Sequence, residues 1–152
     1  MDDFFMQLAM EEARLAALED EIPVGAVIVY RGEVIAKTHN RKEHLENATK
    51  HAEIEAIDMA TKAKGNWYLD ECTLYVTMEP CMMCTGAIVL SRIDRVVIGA
   101  LEKRWPAMTT LLEQHQFNHH PDVDLSRYSK ECSRMLSEYF RKKRQERLLK
   151  DN

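Results

Sequence analysis

The sequence predicts a three-layer α/β/α sandwich built on a mixed five-stranded sheet, and three observations carry that reading. The chain has 152 residues, 45% of them hydrophobic, enough for one ordinary domain with a substantial core. Segments with helical apolar spacing alternate with runs of strand length in the order α-β-β-α-β-α-β-α-β-α. Such alternation indicates a sheet covered on both faces. No internal repeat, low-complexity tract or Gly/Ser linker interrupts it, so residues 1–152 read as a single domain.

Each element has its own signal. Over residues 3–19, Phe5, Leu8, Ala9, Ala13 and Ala16 recur close to helical spacing, with Asp2 or Asp3 as the N-cap. Residues 22–30 read as a buried strand. Arg31-Gly32 is a tight hairpin signal, and Val34 to Thr38 pairs back antiparallel. A polar loop from His39 to Ala48 leads to Thr49, a helix cap, and a helix from Lys50 to Lys64 that Gly65 ends. Thr73 to Met78, rich in β-branched and aromatic residues, is the next strand. Pro80 fits the first turn of a short apolar helix ending near Ser91. Arg95 to Gly99 forms a strand, residues 107–114 a helix, and Val123 lies in a weak strand. A long helix closes the chain from Ser129 to about Leu149. The later strands are expected to be parallel, joined by right-handed crossovers.

Composition excludes several classes. The 21 basic and 25 acidic side chains give a formal charge of −4, which argues against indiscriminate nucleic-acid binding. The charge is uneven, however. Phe140 to Lys150 holds six basic residues against one acid, a net of +5 that leaves −9 for the rest. A basic terminal helix suits phosphate contacts, or is a solvated face with cations favoured at its C-terminal end. Apolar runs such as Val24 to Tyr30 are far below the roughly 20 residues of a membrane span. The acidic opening Met1-Asp2-Asp3 is unlike a secretory signal, so a cytoplasmic protein is expected. Four cysteines are too sparse for a disulfide scaffold, and the isolated Cys72 and Cys132 read as inert core residues.

The remaining cysteines belong to a constellation that carries chemistry. His51-Ala52-Glu53 opens one predicted helix, and Pro80-Cys81-Met82-Met83-Cys84 opens another. In a sheet with crossover helices, both helix starts emerge at the same strand ends, where open α/β sheets place their ligands. Cys81 and Cys84 stand at i and i+3 and share one helical face, and helix N-termini favour thiolates. Two thiolates and the His51 imidazole make a three-donor zinc site. Structural zinc normally has four protein donors, whereas catalytic zinc has three. Glu53, off the ligand row, is suited to take a proton from a zinc-activated water. The alternatives are a four-donor structural site or a redox dithiol. The other histidines (His39, His44, His115, His119 and His120) read as surface or hydrogen-bonding residues. The combination of H-x-E with P-C-x-x-C is the signature of zinc nucleobase deaminases, which attack C4 of cytosine or C6 of adenine.

On these and further residues the chain resembles the bacterial tRNA-specific adenosine deaminases of the cytidine-deaminase-like superfamily. Glu21-Ile22-Pro23-Val24-Gly25-Ala26-Val27 is similar to the family's first strand, and Asn40-Arg41 to the pair after its second. Thr49 to Glu53 and Leu74 to Cys84 follow its zinc motifs. Ser91 to Ala100, Phe117-Asn118-His119 and Tyr139-Phe140-Arg141 match later landmarks. The resemblance implies a cytidine-deaminase-like fold and a zinc-dependent hydrolase that converts adenosine to inosine at the wobble position of a tRNA anticodon. It also implies a homodimer whose partner chain borders each active site. By the same resemblance, His51, Cys81 and Cys84 hold Zn2+, and Glu53 carries protons to ring N1 and to the departing ammonia. Asn40 would hydrogen-bond the base at N7 and the Ala52 N–H would orient it. Ile22 and Val24 would shape the pocket wall, with Phe140 and Arg141 among the substrate contacts.

The chain also departs from the pattern. The family carries a Gly-rich segment of the Asp-x-Lys-Thr-Gly-Ala type after its Gly-Ala strand, and that segment meets the RNA loop. Here the chain reads Leu101 to Thr110 without glycine, and Lys50, Asn47 and Ala48 replace the usual residues before the zinc histidine. These changes leave the chemistry intact and bear on the nucleotides flanking the target. Trp105 has two readings, a platform for a base or a ring packing the loop onto the domain. Two other functions compete: the same zinc chemistry on guanine, a free nucleoside, cytosine or single-stranded DNA, and an inactive zinc-stabilised interaction module.

Overall fold

The computed structural model describes residues 1–151. Strands β1 (Gly25–Tyr30), β2 (Glu33–His39), β3 (Cys72–Met78), β4 (Arg95–Ala100) and β5 (Asp122–Leu125) form one sheet in the order β2-β1-β3-β4-β5. β1 runs antiparallel to both its neighbours, and β3, β4 and β5 run parallel. The helices are α1 (Asp2–Leu18), α2 (Ala52–Lys64), α3 (Met82–Leu90), α4 (Met108–Gln114) and α5 (Ser129–Lys150). The expected mixed five-stranded α/β sandwich is the observed one.

The alternation of side chains along the central strands separates two cores. Ala26 and Ile28 of β1, Leu74 and Val76 of β3, and Val96 and Ile98 of β4 pack under α2, α3 and α4. Val27, Val29, Tyr75 and Val97 point the other way, against Phe5 and Met6 of α1 and Leu136 of α5. Cys72 and Cys132 are fully buried in these cores, and burial pushes their thiols up to about 11 and about 12. They are unreactive packing residues.

Helix α1 approaches the sheet so closely that position 25 has no room for a side chain. A Cβ on Gly25 would lie 1.9 Å from the Ala9 carbonyl oxygen and 2.7 Å from the Ala13 nitrogen, both backbone atoms. Gly25→Ala should therefore cost about 2 kcal/mol through displacement of α1. An unfolding midpoint in urea equal to the parent's would contradict this contact.

Several boundaries differ from the sequence reading. Met1, not an aspartate, caps α1, because the Asp2 carboxylate is engaged elsewhere. It accepts two hydrogen bonds from Arg95 (2.9 and 2.8 Å) and one from the Tyr75 hydroxyl (2.7 Å). Arg95 above all holds Asp2 down at about 2. Thr49 does not cap α2. Its N–H and hydroxyl both donate to the Asn47 side chain (2.9 and 2.7 Å), and His51 becomes the N-cap. Pro80 precedes α3, whose N-cap is Cys81. The Arg31-Gly32 turn is as expected, with φ of 50° and 81° at the two positions, the paired positive values a two-residue hairpin requires.

The imidazole of His39, at the end of β2, bridges two carboxylates of the α1 region: Nδ1 to Glu12 at 3.1 Å and Nε2 to Glu19 at 2.8 Å. Burial opposes its protonation, but the bonds to Glu19 and Glu12 outweigh it, and its pKa lies above the usual 6.5. A raised pKa stabilises the fold fully below the unfolded-state value, and the gain disappears as pH climbs through the folded-state value. The difference in thermal midpoint between the parent and His39→Gln should thus shrink from pH 6 towards pH 9. A constant difference would contradict a charged His39.

Because β2, β3 and β4 end at the same edge of the sheet, the segments that follow them meet there, together with the approach to β1. That edge holds the pocket.

Candidate metal centre and nucleobase pocket

Two helix starts supply the donors. His51, with φ −72° and ψ 156°, caps α2, and its carbonyl accepts the first intrahelical bond from Glu55 N at 3.1 Å. Cys81, with φ −70° and ψ 179°, caps α3 in the same way, its carbonyl accepting from Thr85 N at 2.8 Å. An extended cap turns its side chain towards the first turn of its own helix. Cys84, three residues on, therefore faces the same point. His51 Nδ1 lies 3.7 Å from the Cys81 sulfur and 3.6 Å from the Cys84 sulfur, and all three donor atoms fall within 4.8 Å of one another.

These separations can be tested against an ion. With bonds of about 2.3 Å to sulfur and about 2.05 Å to nitrogen, a tetrahedral zinc sets N···S separations of about 3.6 Å. The donor set fits. In its protonation, too, the group behaves as one that an ion would complete. Hydrogen bonding from Cys84, and then from His51, holds Cys81 down at about 4. The neighbouring thiolate and burial push Cys84 up. The His51 pKa is raised, chiefly by its bond to Cys81. A divalent cation bound between the two sulfurs would displace protons from them. His51, Cys81 and Cys84 are the group among the described residues that could hold a metal. His39, His44, His119 and His120 are all hydrogen-bonded elsewhere.

Glu53 is the buried carboxylate beside this group, only 4% exposed. Burial pushes its carboxyl up to about 7. Its own N–H and the His51 charge act against that rise, while the Cys81 charge adds to it. A carboxyl near neutrality can both accept and return a proton at physiological pH.

His51, Cys81 and Glu53 line a cavity of about 310 Å³, the lower end of the range for small-molecule sites, while the third donor, Cys84, is fully buried. Ile22 and Val24 form part of its wall, contributed by the chain entering β1. They precede the strand rather than starting it, contrary to the 22–30 reading, and Pro23 between them breaks the ladder. Asn40 lines the cavity from the end of β2. Its backbone N–H bonds Val24 O at 3.0 Å, and its Oδ1 accepts from Lys42 N at 3.3 Å. Ala52 also lines the cavity, in the first turn of α2, where backbone N–H groups have no intrahelical acceptor.

Phe140 and Arg141 lie outside this cavity. Phe140 is half-buried on α5 and lines the neighbouring grooves, one shared with Ile22 and the other with Met78. Arg141 is exposed on the same helix.

Sequence reasoning assigned no role to Glu79, which organises the far wall. Its Oε1 accepts from Glu102 N at 3.0 Å, and its Oε2 accepts from both Thr109 N and Thr109 Oγ1 at 2.6 Å. One buried carboxylate thus pins both ends of the segment after β4. The signal available was a carboxylate at the end of a strand whose other residues are largely apolar, next to Pro80-Cys81. Glu102, Arg104, Trp105 and Ala107 of the pinned segment complete the cavity.

Comparison with known proteins places this arrangement. The chain matches the MafB19-like deaminase family over residues 1–144. It is 44% identical to the tRNA-specific adenosine deaminase of Bacillus subtilis (strain 168), over 96% of this chain and 92% of that protein. With the tRNA-specific adenosine deaminase of Aquifex aeolicus (strain VF5) it shares 42% identity, over 93% and 95% respectively. A solved structure from work on A-to-I editing by tRNA:A34 deaminases at the wobble position superposes with a TM-score of 0.83. It is 41% identical and covers 88% of this chain and 99% of its own. Guanine deaminase from Bacillus subtilis superposes with a TM-score of 0.63 at 34% identity, over 79% and 71% of the two chains.

Proposed function

This chain belongs to the MafB19-like deaminase family and groups with its tRNA-specific adenosine deaminases, and on that premise we propose that it converts adenosine to inosine at the wobble position of a tRNA anticodon. The reaction is hydrolytic: water adds at C6 of adenine and ammonia leaves. One observation carries the reading at this site, a buried carboxylate beside a His-Cys-Cys donor group of which His51 and Cys81 line the same nucleobase-sized cavity as Glu53. The whole chain, residues 1–152, acts as one deaminase domain, in keeping with the extent of its relatives.

Two thiolates and an imidazole favour zinc over harder cations, and His51, Cys81 and Cys84 would hold it. When bound, zinc supplies a Lewis acid that brings deprotonation of a water near neutral pH. Glu53 takes that proton and delivers it to N1 of the ring. It then takes the proton of the hydroxyl added at C6 and hands it to the amino group, which leaves as ammonia while the C6 carbonyl of inosine forms. Asn40 donates its amide NH2 to N7, its Oδ1 being already engaged by the Lys42 N–H. The Ala52 N–H orients the base, and Ile22 and Val24 flank the ring. Phe140 and Arg141 serve nucleotides outside the cavity, on a helix whose Lys143 already pairs with Asp20 and Glu146. The protein works in the cytoplasm as a homodimer. The exposed apolar side chains of Met59 on α2 and of Met82 and Leu90 on α3 support such an interface. No helix among the described residues is long and apolar enough to cross a membrane.

The deciding assay incubates the protein with anticodon stem-loops carrying A or C, and with free guanine and adenosine, and measures inosine and ammonia. Inosine from the A-containing stem-loop is the expected product. Xanthine and ammonia from free guanine would instead favour the second reading, which the 34% identity to a guanine deaminase keeps in the comparison.

A further inference from the structure

The segment joining β4 to α4 is anchored more firmly than an ordinary surface loop. Glu79 pins it at Glu102 and at Thr109. Between those points Glu102 accepts from Arg104 N at 2.9 Å and from Arg104 Nε at 3.2 Å, with the Glu102 side chain only 8% exposed. The Arg104 guanidinium lies 4.8 Å from the centroid of the Trp105 ring. Yet Trp105 itself, at the end of this chain of contacts, is 62% exposed while lining the cavity that holds Glu53 and Cys81. The ring does not pack the loop onto the domain. It is presented to solvent at the pocket on a segment pinned at both ends, with the Arg104 guanidinium against the ring.

We propose that Trp105 is a stacking platform for the nucleobase flanking the target adenine in a single-stranded RNA loop, with Arg104 covering the ring's other face. The inference rests on the nucleobase-deaminase reading above and deepens it. An indole carried on a pinned segment loses less freedom on stacking a base than one on a free loop, and stacking tolerates any base because each offers a π-face. The guanidinium over the ring adds a cation near the phosphates that accompany the strand. A substrate lacking a flanking base gains nothing from this platform.

The test is a chemical double-mutant cycle. Parent, Trp105→Ala and Trp105→Phe are assayed on an anticodon stem-loop and on loops made abasic at each position next to the target adenine. Trp105→Ala should raise KM roughly tenfold, the size of one lost base stack, with kcat changed less than about twofold. Trp105→Phe should recover most of the loss. One abasic position should cost the parent a similar factor and cost Trp105→Ala nothing more. In a Trp67→Phe background, Trp105 is the remaining tryptophan, and binding of the intact loop should quench its emission while the abasic loop does not. An unchanged KM in Trp105→Ala overturns the proposal. So does a loss that phenylalanine fails to rescue or that persists undiminished on every abasic loop, since that pattern belongs to a damaged loop. A parent that deaminates free guanine but no stem-loop overturns the functional reading itself and the platform with it.

Discussion

Glu53→Ala should abolish turnover while leaving the metal in place. General acid–base groups contribute roughly 10² to 10⁴-fold, and Glu53 is proposed to serve more than one proton transfer in each cycle, so the loss belongs at or beyond the upper figure. The carboxylate stands beside the donor group and is not one of the three donors, so metal content per chain should equal the parent's. Measured together, kcat and metal stoichiometry separate this role from coordination. More than about a tenth of the parent rate in Glu53→Ala would remove the residue from the mechanism. Loss of metal together with activity would make Glu53 a ligand. Glu53→Gln provides the control for packing: it keeps the side-chain volume, so a comparable loss shows that the missing function is proton transfer and not a cavity left in the buried site.

The parts legible in the sequence are those whose cause is local. The hydrophobic periods of 2 and 3.6 are written into consecutive residues, and every strand and helix expected from them is present. The His51, Glu53, Cys81 and Cys84 group was legible for a related reason. Helix starts fix their side chains over only a few residues, and the topology then brings two such starts to one sheet edge. Errors arose where a side chain had a competing partner far away in the chain. Asp2 could have capped α1, but Arg95, 93 positions later, holds its carboxylate. Thr49 lost its cap role to a turn formed with Asn47, and that shift moved the start of α2 so that His51 occupies the cap. Glu79 shows the same limit at the site itself. Its partners, Glu102 and Thr109, lie 23 and 30 positions away, and two of the three bonds come from backbone N–H groups, which carry no residue signature; the third comes from the Thr109 hydroxyl. Trp105 was left with two readings because a sequence does not state whether a loop aromatic is covered. Its exposure of 62%, with the loop pinned beneath it, separates them.

Removing the metal should be as damaging as removing Glu53, and by a distinguishable route. Prolonged dialysis against a strong chelator is expected to lower activity by at least about 10³-fold, because the Lewis-acid contribution is several kcal/mol and each 1.36 kcal/mol is tenfold. Zinc restores it, at about one ion per chain. Cys84→Ala should give the same loss without rescue, since Cys84 is a fully buried donor 3.6 Å from His51 Nδ1. The stripped protein should also melt at a lower temperature, and its midpoint should climb with added zinc, by the equivalent of about 2.7 kcal/mol at a free concentration of 100 Kd. Both thiols must be deprotonated for binding, and burial beside a thiolate pushes Cys84 up, so apparent zinc affinity should fall steadily as pH is lowered. Four protein donors per ion in an absorption-edge measurement would refute a site with room for water. A parent enzyme that keeps full activity after chelation to undetectable metal would refute metal assistance altogether.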